Sequence, residues 1–262
     1  MKLFFFDIDG TLISCNDGIY EIPDSTKASM DQLKVNNRVF LATGRCPCFL
    51  LDGVTTYNFD GLVSCNGALV IYNDNIMYKS VISIEALNAV MDFAKKYHSV
   101  VYLESKDNIF AVNTDHPIHE AFLNEWGMKK ETLIYDFDIN EIETYIGMIV
   151  LNDESEVEIM NDTLSKYFNI QKHQHGLSFD LTIKGESKAK GIEQLIKVLD
   201  MSMDDTVAFG DGRNDVEMIE SVGYGIAMGN AAKETKKKSK YITSNVKDDG
   251  ITYALKKLNY IK

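Results

Sequence analysis

The sequence predicts an α/β protein: a doubly wound, mostly parallel, Rossmann-like core sheet carrying an inserted α+β domain. Three observations predict it. Short unbroken apolar runs each end in a polar or glycine-containing cluster, as strands buried on both faces of a parallel sheet do. Amphipathic helical patterns lie between those runs. The middle of the chain, from about 82 to 183, follows a different order of elements and lacks the clusters.

The core elements follow in order. Leu3-Phe4-Phe5-Phe6 leads into Asp7-Ile8-Asp9-Gly10-Thr11, and Val39-Phe40-Leu41-Ala42 into Thr43-Gly44-Arg45. Leu62-Val63 leads into Ser64-Cys65-Asn66-Gly67. Late in the chain, Val207-Ala208-Phe209 meets Gly210-Asp211-Gly212, and Gly225-Ile226-Ala227-Met228 meets Gly229-Asn230. Between Ser187 and Asp200, Ile192, Leu195, Ile196 and Leu199 fall at i, i+3, i+4 and i+7, one apolar helical stripe. Strand–helix alternation of this kind builds a doubly wound sheet whose ligands bind beyond the carboxyl ends of the strands. The polar clusters sit at those ends, so they converge on one crevice.

In the middle, Leu87, Val90, Met91 and Ala94 keep helical spacing. Val100 to Glu104 and Ile109 to Val112 flank Lys106-Asp107-Asn108, a hairpin turn. Val157, Met160, Leu164 and Phe168 mark another helix. The expected organisation is a core of 1–81 and 184–262 with an inserted domain of 82–183. A chain of 262 residues is also longer than one hydrophobic core usually serves.

Composition removes several functions. A net charge of -12 argues against a nucleic-acid partner, because such binding draws its affinity from basic surface. Lys236-Lys237-Lys238 reads as a solvated helix face. No apolar stretch approaches the roughly 18 residues a membrane span needs, and no signal peptide is expected at the N-terminus. Cys15, Cys46, Cys48 and Cys65 read as reduced thiols of a cytoplasmic protein. His116, His119, His173 and His175 lack the partners of a metal site, and Trp126 reads as packing.

Asp7-Ile8-Asp9-Gly10-Thr11 carries the strongest chemical signal. Two carboxylates flanking a strand end can bracket one phosphorus, one attacking while the other handles the proton of the leaving oxygen. Gly10 allows a sharp turn or a close approach of backbone to phosphate. Asp211, in Gly210-Asp211-Gly212-Arg213-Asn214-Asp215, would join the first acidic pair as a magnesium site. Thr43-Gly44-Arg45 offers a hydroxyl, backbone N–H groups and a cation, and Lys188 a point charge at a helix start.

The order DxDGT, TGR, Lys and GDxxND resembles the four motifs of the haloacid dehalogenase superfamily. The insertion between the second and third motifs looks like the large cap (type C2B) of its Cof-type branch. Ser64 to Ala68, Ala227 to Ala231 and Asp249-Gly250-Ile251 match that branch as well. The resemblance implies a Mg2+-dependent phosphatase acting on a small-molecule phosphate ester. Asp7 would be the nucleophile and Asp9 the acid, then base. Thr43, Gly44, Arg45, Lys188 and Asn214 would hold substrate. Asp7, Asp9 (through its carbonyl) and Asp211 would hold magnesium, with Asp215 orienting Lys188 or the metal shell. Lys188-Ala189-Lys190-Gly191 contains two lysines; the spacing to Gly191 favours Lys188, with Lys190 the alternative. The competing functions are a phosphomutase, which returns the phosphoryl group to another hydroxyl, and a non-catalytic binding protein.

Overall fold

A computed structural model of the chain describes residues 1–126, 128, 130–173 and 176–262, with the backbone alone at 122 and 124–126. Gln174, His175 and the side chain of Trp126 therefore lie outside the described residues.

The chain opens with β1 (Leu3–Phe6), α1 (Asp24–Lys34), β2 (Arg38–Ala42), α2 (Asp52–Thr55), β3 (Gly61–Ser64), β4 (Leu69–Tyr72) and β5 (Asn75–Lys79). There follow α3 (Ile84–Tyr97), β6 (Val100–Glu104), β7 (Ile109–Val112), α4 (Ile118–Trp126), β8 (Leu133–Ile134), β9 (Ile146–Val150), α5 (Glu156–Leu164), β10 (Phe168–Lys172) and β11 (Ser178–Ile183). The last part holds α6 (Lys188–Val198), β12 (Thr206–Gly210), α7 (Val216–Ser221), β13 (Tyr224–Ala227), α8 (Lys233–Lys238), β14 (Tyr241–Ile242) and α9 (Gly250–Lys257).

One sheet has the order β14-β13-β12-β1-β2-β3-β4-β5, parallel from β14 to β3 and antiparallel between β3 and β4. All four residues of β1 are fully buried because both faces of the sheet are covered. Phe4 and Phe6 face a cluster closed by Met30 and Leu33 of α1 and Ile251 and Leu255 of α9. Leu3 and Phe5 face the opposite cluster, with Ile192, Leu195 and Ile196 of α6 and Met218 and Ile219 of α7. Alternate residues of one strand thus feed two cores, which is why the run reads as continuously apolar.

The second sheet has the order β10-β11-β9-β6-β7-β8, antiparallel except between β7 and β8. Val101, Leu103, Ile149, Phe179 and Leu181 point to one face, where Leu87, Val90, Phe93 and Ala94 of α3 and Met160 and Leu164 of α5 cover them. Glu104 pairs with Ile109, so the turn expected at Lys106-Asp107-Asn108 closes the hairpin. One expectation is corrected here. Phe168 opens β10 instead of ending the preceding helix, which stops at Leu164. Its burial against α3 and α5 continues the apolar pattern although the backbone has changed to strand.

Chain contacts divide into two compact units. One holds Met1–Gly44, Leu50–Tyr78 and Ser187–Lys262; the other holds Arg45–Phe49 and Lys79–Glu186. The segment Arg45–Phe49, which the sequence reading kept with the core, packs in the second unit. There the Cys48 thiol donates to the Ser105 carbonyl at 3.3 Å. Two histidines of this unit meet protein partners: the Tyr102 hydroxyl lies 2.9 Å from His119 Nδ1, and His173 Nε2 lies 2.9 Å from Asp180 Oδ1.

Glu104 is a buried acid of this unit. Burial pushes its carboxyl up to about 7 from 4.5, with Asp180 adding to the rise and Cys46 and the Arg45 cation opposing it. A carboxyl raised on folding contributes stability below its unfolded value and loses it as pH climbs through its folded value. Glu104→Gln should therefore unfold at higher denaturant than the wild type near pH 8, by roughly 2–3 kcal/mol, and at the same denaturant near pH 4. An equal difference at both pH values would contradict the assignment.

Candidate active site

The site is assembled at the carboxyl ends of β1, β3, β12 and β2 and at the start of α6. Asp7 follows β1 directly, and its N–H donates to the Phe209 carbonyl at 3.1 Å, extending the ladder with β12 by one residue. The chain then turns tightly, with the N–H groups of Thr11, Leu12 and Ile13 all directed at the Ile8 carbonyl. Gly10 has φ +89°, and a Cβ there would lie 2.2 Å from Asp211 Oδ2. Glycine is required at this position by both its backbone and its neighbour. Thr11 donates its hydroxyl to Asp211 Oδ1 at 2.9 Å, and Asn230 Nδ2 donates to the Gly10 carbonyl at 2.8 Å.

Lys188 is the first residue of α6, whose N-cap Ser187 accepts from the Lys190 N–H at 3.3 Å. The side chain of Lys188 is fully buried, and Nζ donates to Asp7 Oδ1 at 2.6 Å and to Asp215 Oδ1 at 2.7 Å. Asp215 Oδ2 accepts from the N–H groups of Asp211 at 2.9 Å and Gly212 at 2.8 Å. Lys190 instead sets its Nζ over the Tyr78 ring, 6.0 Å from the centroid. The helix periodicity separates the two lysines: Lys188 shares a face with Gly191, Ile192 and Leu195, and Lys190 does not.

The electrostatics are those of crowded acids around one cation. Burial raises the Asp7 carboxyl well above its ordinary range; Asp215 and Asp211 add to the rise, and Lys188 opposes it. Burial and the neighbouring Asp215 push Asp211 up to about 7, against the pull of the Thr11 hydroxyl and Lys188. Burial alone would lower the Lys188 ammonium, but Asp215 and Asp7 hold it above the usual lysine range.

Oxygens of Asp7, Asp211 and Asp215 lie within 4.8 Å of one another, a donor set suited to a hard divalent cation. Both oxygens of Asp215 are already engaged, one by Lys188 and one by two N–H groups. Asp7 and Asp211 are thus the carboxylates with capacity to face a cation. A cation there would relieve the repulsion that raises Asp7 and Asp211, so the residues fit the group.

The other expected residues are distributed as follows. Asp9 is exposed on the turn after Asp7, close enough to Asp211 to raise it further. Thr43 is buried at the end of β2, and Gly44 lies against the Asn66 carboxamide. Asn214 Nδ2 donates to Asn66 Oδ1 at 3.2 Å. Arg45 belongs to the other unit, where its guanidinium lies 4.9 Å from the Phe49 ring centroid and donates to the Phe49 carbonyl at 3.4 Å. Two contributors had no assigned part in the sequence reading. The Thr11 hydroxyl is one, although it stands inside the first motif. Asn66 is the other, in the Ser64 to Ala68 stretch.

Comparison with known proteins places the chain in a family. The haloacid dehalogenase-like hydrolase family matches residues 4–255. YkrA of Bacillus subtilis (strain 168), which carries a provisional phosphatase name, is 34% identical over 263 residues, covering 100% of this chain and 99% of its own length. The 5-amino-6-(5-phospho-D-ribitylamino)uracil phosphatase YcsE of the same organism is 25% identical over 261 residues, with 98% and 95% covered. Among solved structures, a protein of Geobacillus kaustophilus HTA426 superposes with a TM-score of 0.89 at 31% identity, covering 99% of each chain. The sugar phosphatase BT4131 of haloacid dehalogenase subclass IIB superposes with a TM-score of 0.84 at 27% identity over the whole of both chains. With a match along nearly its full length and a relative above 30% identity, the chain belongs to the haloacid dehalogenase-like hydrolases.

Proposed function

We propose that the chain is a magnesium-dependent phosphatase that hydrolyses a small phosphate monoester by way of a phosphoryl group on Asp7. The observation that carries this reading is the Lys188 ammonium held between Asp7 and Asp215, with Asp211 beside them. Asp7 follows β1 directly, extends the ladder with β12 and is paired with the Lys188 ammonium, a setting that suits an attacking carboxylate.

An oxygen of Asp7 forms a bond to phosphorus while the ester oxygen leaves with a proton from Asp9. Water then attacks the phosphoryl group, its proton passes to Asp9, and phosphate departs with Asp7 regenerated. Lys188, the Thr43 hydroxyl and the N–H groups around Gly44 hold the non-bridging oxygens, and Asn214 completes their orientation. Asp7 and Asp211, with the Asp9 carbonyl, would hold the divalent ion. When bound, that ion neutralises charge between the attacking carboxylate and the phosphate dianion.

These groups suit phosphorus and metal, so selection among esters is assigned to the inserted unit. Two of the named relatives are named for a sugar phosphate and for a ribitylaminouracil phosphate, so a panel weighted to sugar and polyol phosphates is the direct test. Phosphate should be released with magnesium present and no added sugar bisphosphate. A chelator should reduce the rate by at least about a hundredfold, restored by excess magnesium. Full hydrolysis in the chelator would remove the metal from the account. Phosphate release only after a sugar bisphosphate is added would replace the hydrolase with a mutase.

A further inference from the structure

Three consecutive residues after β3 have positive φ: Cys65 at 53°, Asn66 at 51° and Gly67 at 95°. Left-handed backbone at two successive non-glycine residues is uncommon and persists only where the surroundings over-determine it. All three residues are buried. Asn66 and Gly67 face parts of the machinery already described, and Asn66 faces most of it.

The Asn66 N–H donates to the Thr43 carbonyl at 3.1 Å. Its Oδ1 accepts from Asn214 Nδ2 at 3.2 Å. A Cβ on Gly44 would lie 3.2 Å from Asn66 Oδ1 and 3.4 Å from Nδ2, so the carboxamide rests against the Gly44 backbone. Next in the chain, a Cβ on Gly67 would lie 2.0 Å from the Ser187 carbonyl, which sets the same turn against the start of α6, where Lys188 stands. One left-handed turn therefore touches the segments bearing Thr43, Asn214 and Lys188.

We propose that Asn66 is a positioning residue for the phosphoryl site, its carboxamide fixing Asn214 and the Thr43-Gly44 turn in register with each other. The proposal rests on the phosphatase reading. Left-handed backbone sets the Asn66 side chain between the loop bearing Thr43-Gly44 and the loop bearing Asn214. Asparagine tolerates that backbone better than other side chains with Cβ, and glycine tolerates it fully.

Glycine thus separates a local backbone role from a positioning role. Asn66→Gly keeps φ positive and removes the carboxamide, so the melting temperature should stay within a few degrees of wild type. The value of kcat/KM should fall about tenfold, the scale of one lost orienting hydrogen bond. In an Asn214→Ala background the same substitution should cost clearly less than it does alone, because one of the two groups it holds in register is gone. Asn66→Asp retains the acceptor for Asn214 but sets a negative charge near phosphate, so it should raise KM more than it lowers kcat.

The same four proteins titrated with inorganic phosphate in magnesium, by calorimetry, should show the same non-additivity in dissociation constant. Equal losses from Asn66→Gly in both backgrounds would overturn the proposal, as would unchanged kcat/KM and phosphate affinity in the single variant. A wild type that binds phosphate yet hydrolyses no ester would count against the phosphatase reading alone, and the calorimetric cycle would then decide on Asn66.

Discussion

Replacing Lys188 with methionine is expected to remove at least about a thousandfold of turnover and to destabilise the fold by roughly 3–5 kcal/mol near pH 8. The ammonium is fully buried and is the cation set between Asp7 and Asp215 at 2.6 and 2.7 Å. Methionine fills similar volume but leaves two buried carboxylates facing each other with Asp211 alongside. Lys188 opposes the rise of the Asp7 carboxyl that burial causes, so without the ammonium the protonated form of Asp7 is favoured further in the folded state. A carboxyl raised on folding loses stability as pH rises through its folded value. The variant's deficit should therefore be largest near pH 8 and shrink as pH falls towards about 5. Urea unfolding in chelator at both pH values measures this. A deficit of equal size at both would show that Lys188 acts by packing and not by charge.

Asp7→Asn is expected to lower turnover by at least about a thousandfold while leaving the melting temperature equal to wild type or above it. A carboxamide matches the carboxylate in size and still offers Lys188 an acceptor, but it has no charge with which to attack phosphorus. It also removes one of three crowded acids, whose mutual repulsion and burial hold the Asp7 carboxyl high. Loss of activity with retained or increased stability is the signature of a charge kept for chemistry at a cost to folding. A variant with a tenth of wild-type turnover would exclude Asp7 as the nucleophile.

Much of this site was legible in the sequence because its chemistry is concentrated at strand ends. Leu3 to Phe6 is apolar throughout because Phe4 and Phe6 fill one core and Leu3 and Phe5 the other. The next residue is then the first that can be polar, and it is Asp7. The spacing to Gly191 favoured Lys188 and left Lys190 as the alternative; the structure sets Lys188 Nζ 2.6 Å from Asp7 Oδ1. What stayed hidden depends on backbone conformation and long-range packing. Nothing in Ser64-Cys65-Asn66 announces two left-handed residues in succession; the contacts made there, to Thr43, Asn214 and the start of α6, come from distant parts of the chain. Arg45–Phe49 follows the Thr43-Gly44 turn without a break, yet it packs in the second unit through contacts such as Cys48 to Ser105. Phe168 kept the apolar period of α5 while its backbone passed into β10, because one cluster covers both. Local pattern reports which residues are buried; the partner that buries them is set elsewhere in the chain.

The central claim is that phosphate passes through Asp7, and the direct measurement is to catch it there. The wild type and the Asp9→Asn variant would be mixed with a hydrolysed ester and magnesium, quenched in acid within one turnover, and mapped by peptide mass spectrometry. A phosphoryl group on the peptide containing Asp7 is predicted, accumulating further in Asp9→Asn because the water step lacks its base. Phosphate released at the full rate, with that peptide unmodified at every quench time, would contradict the account.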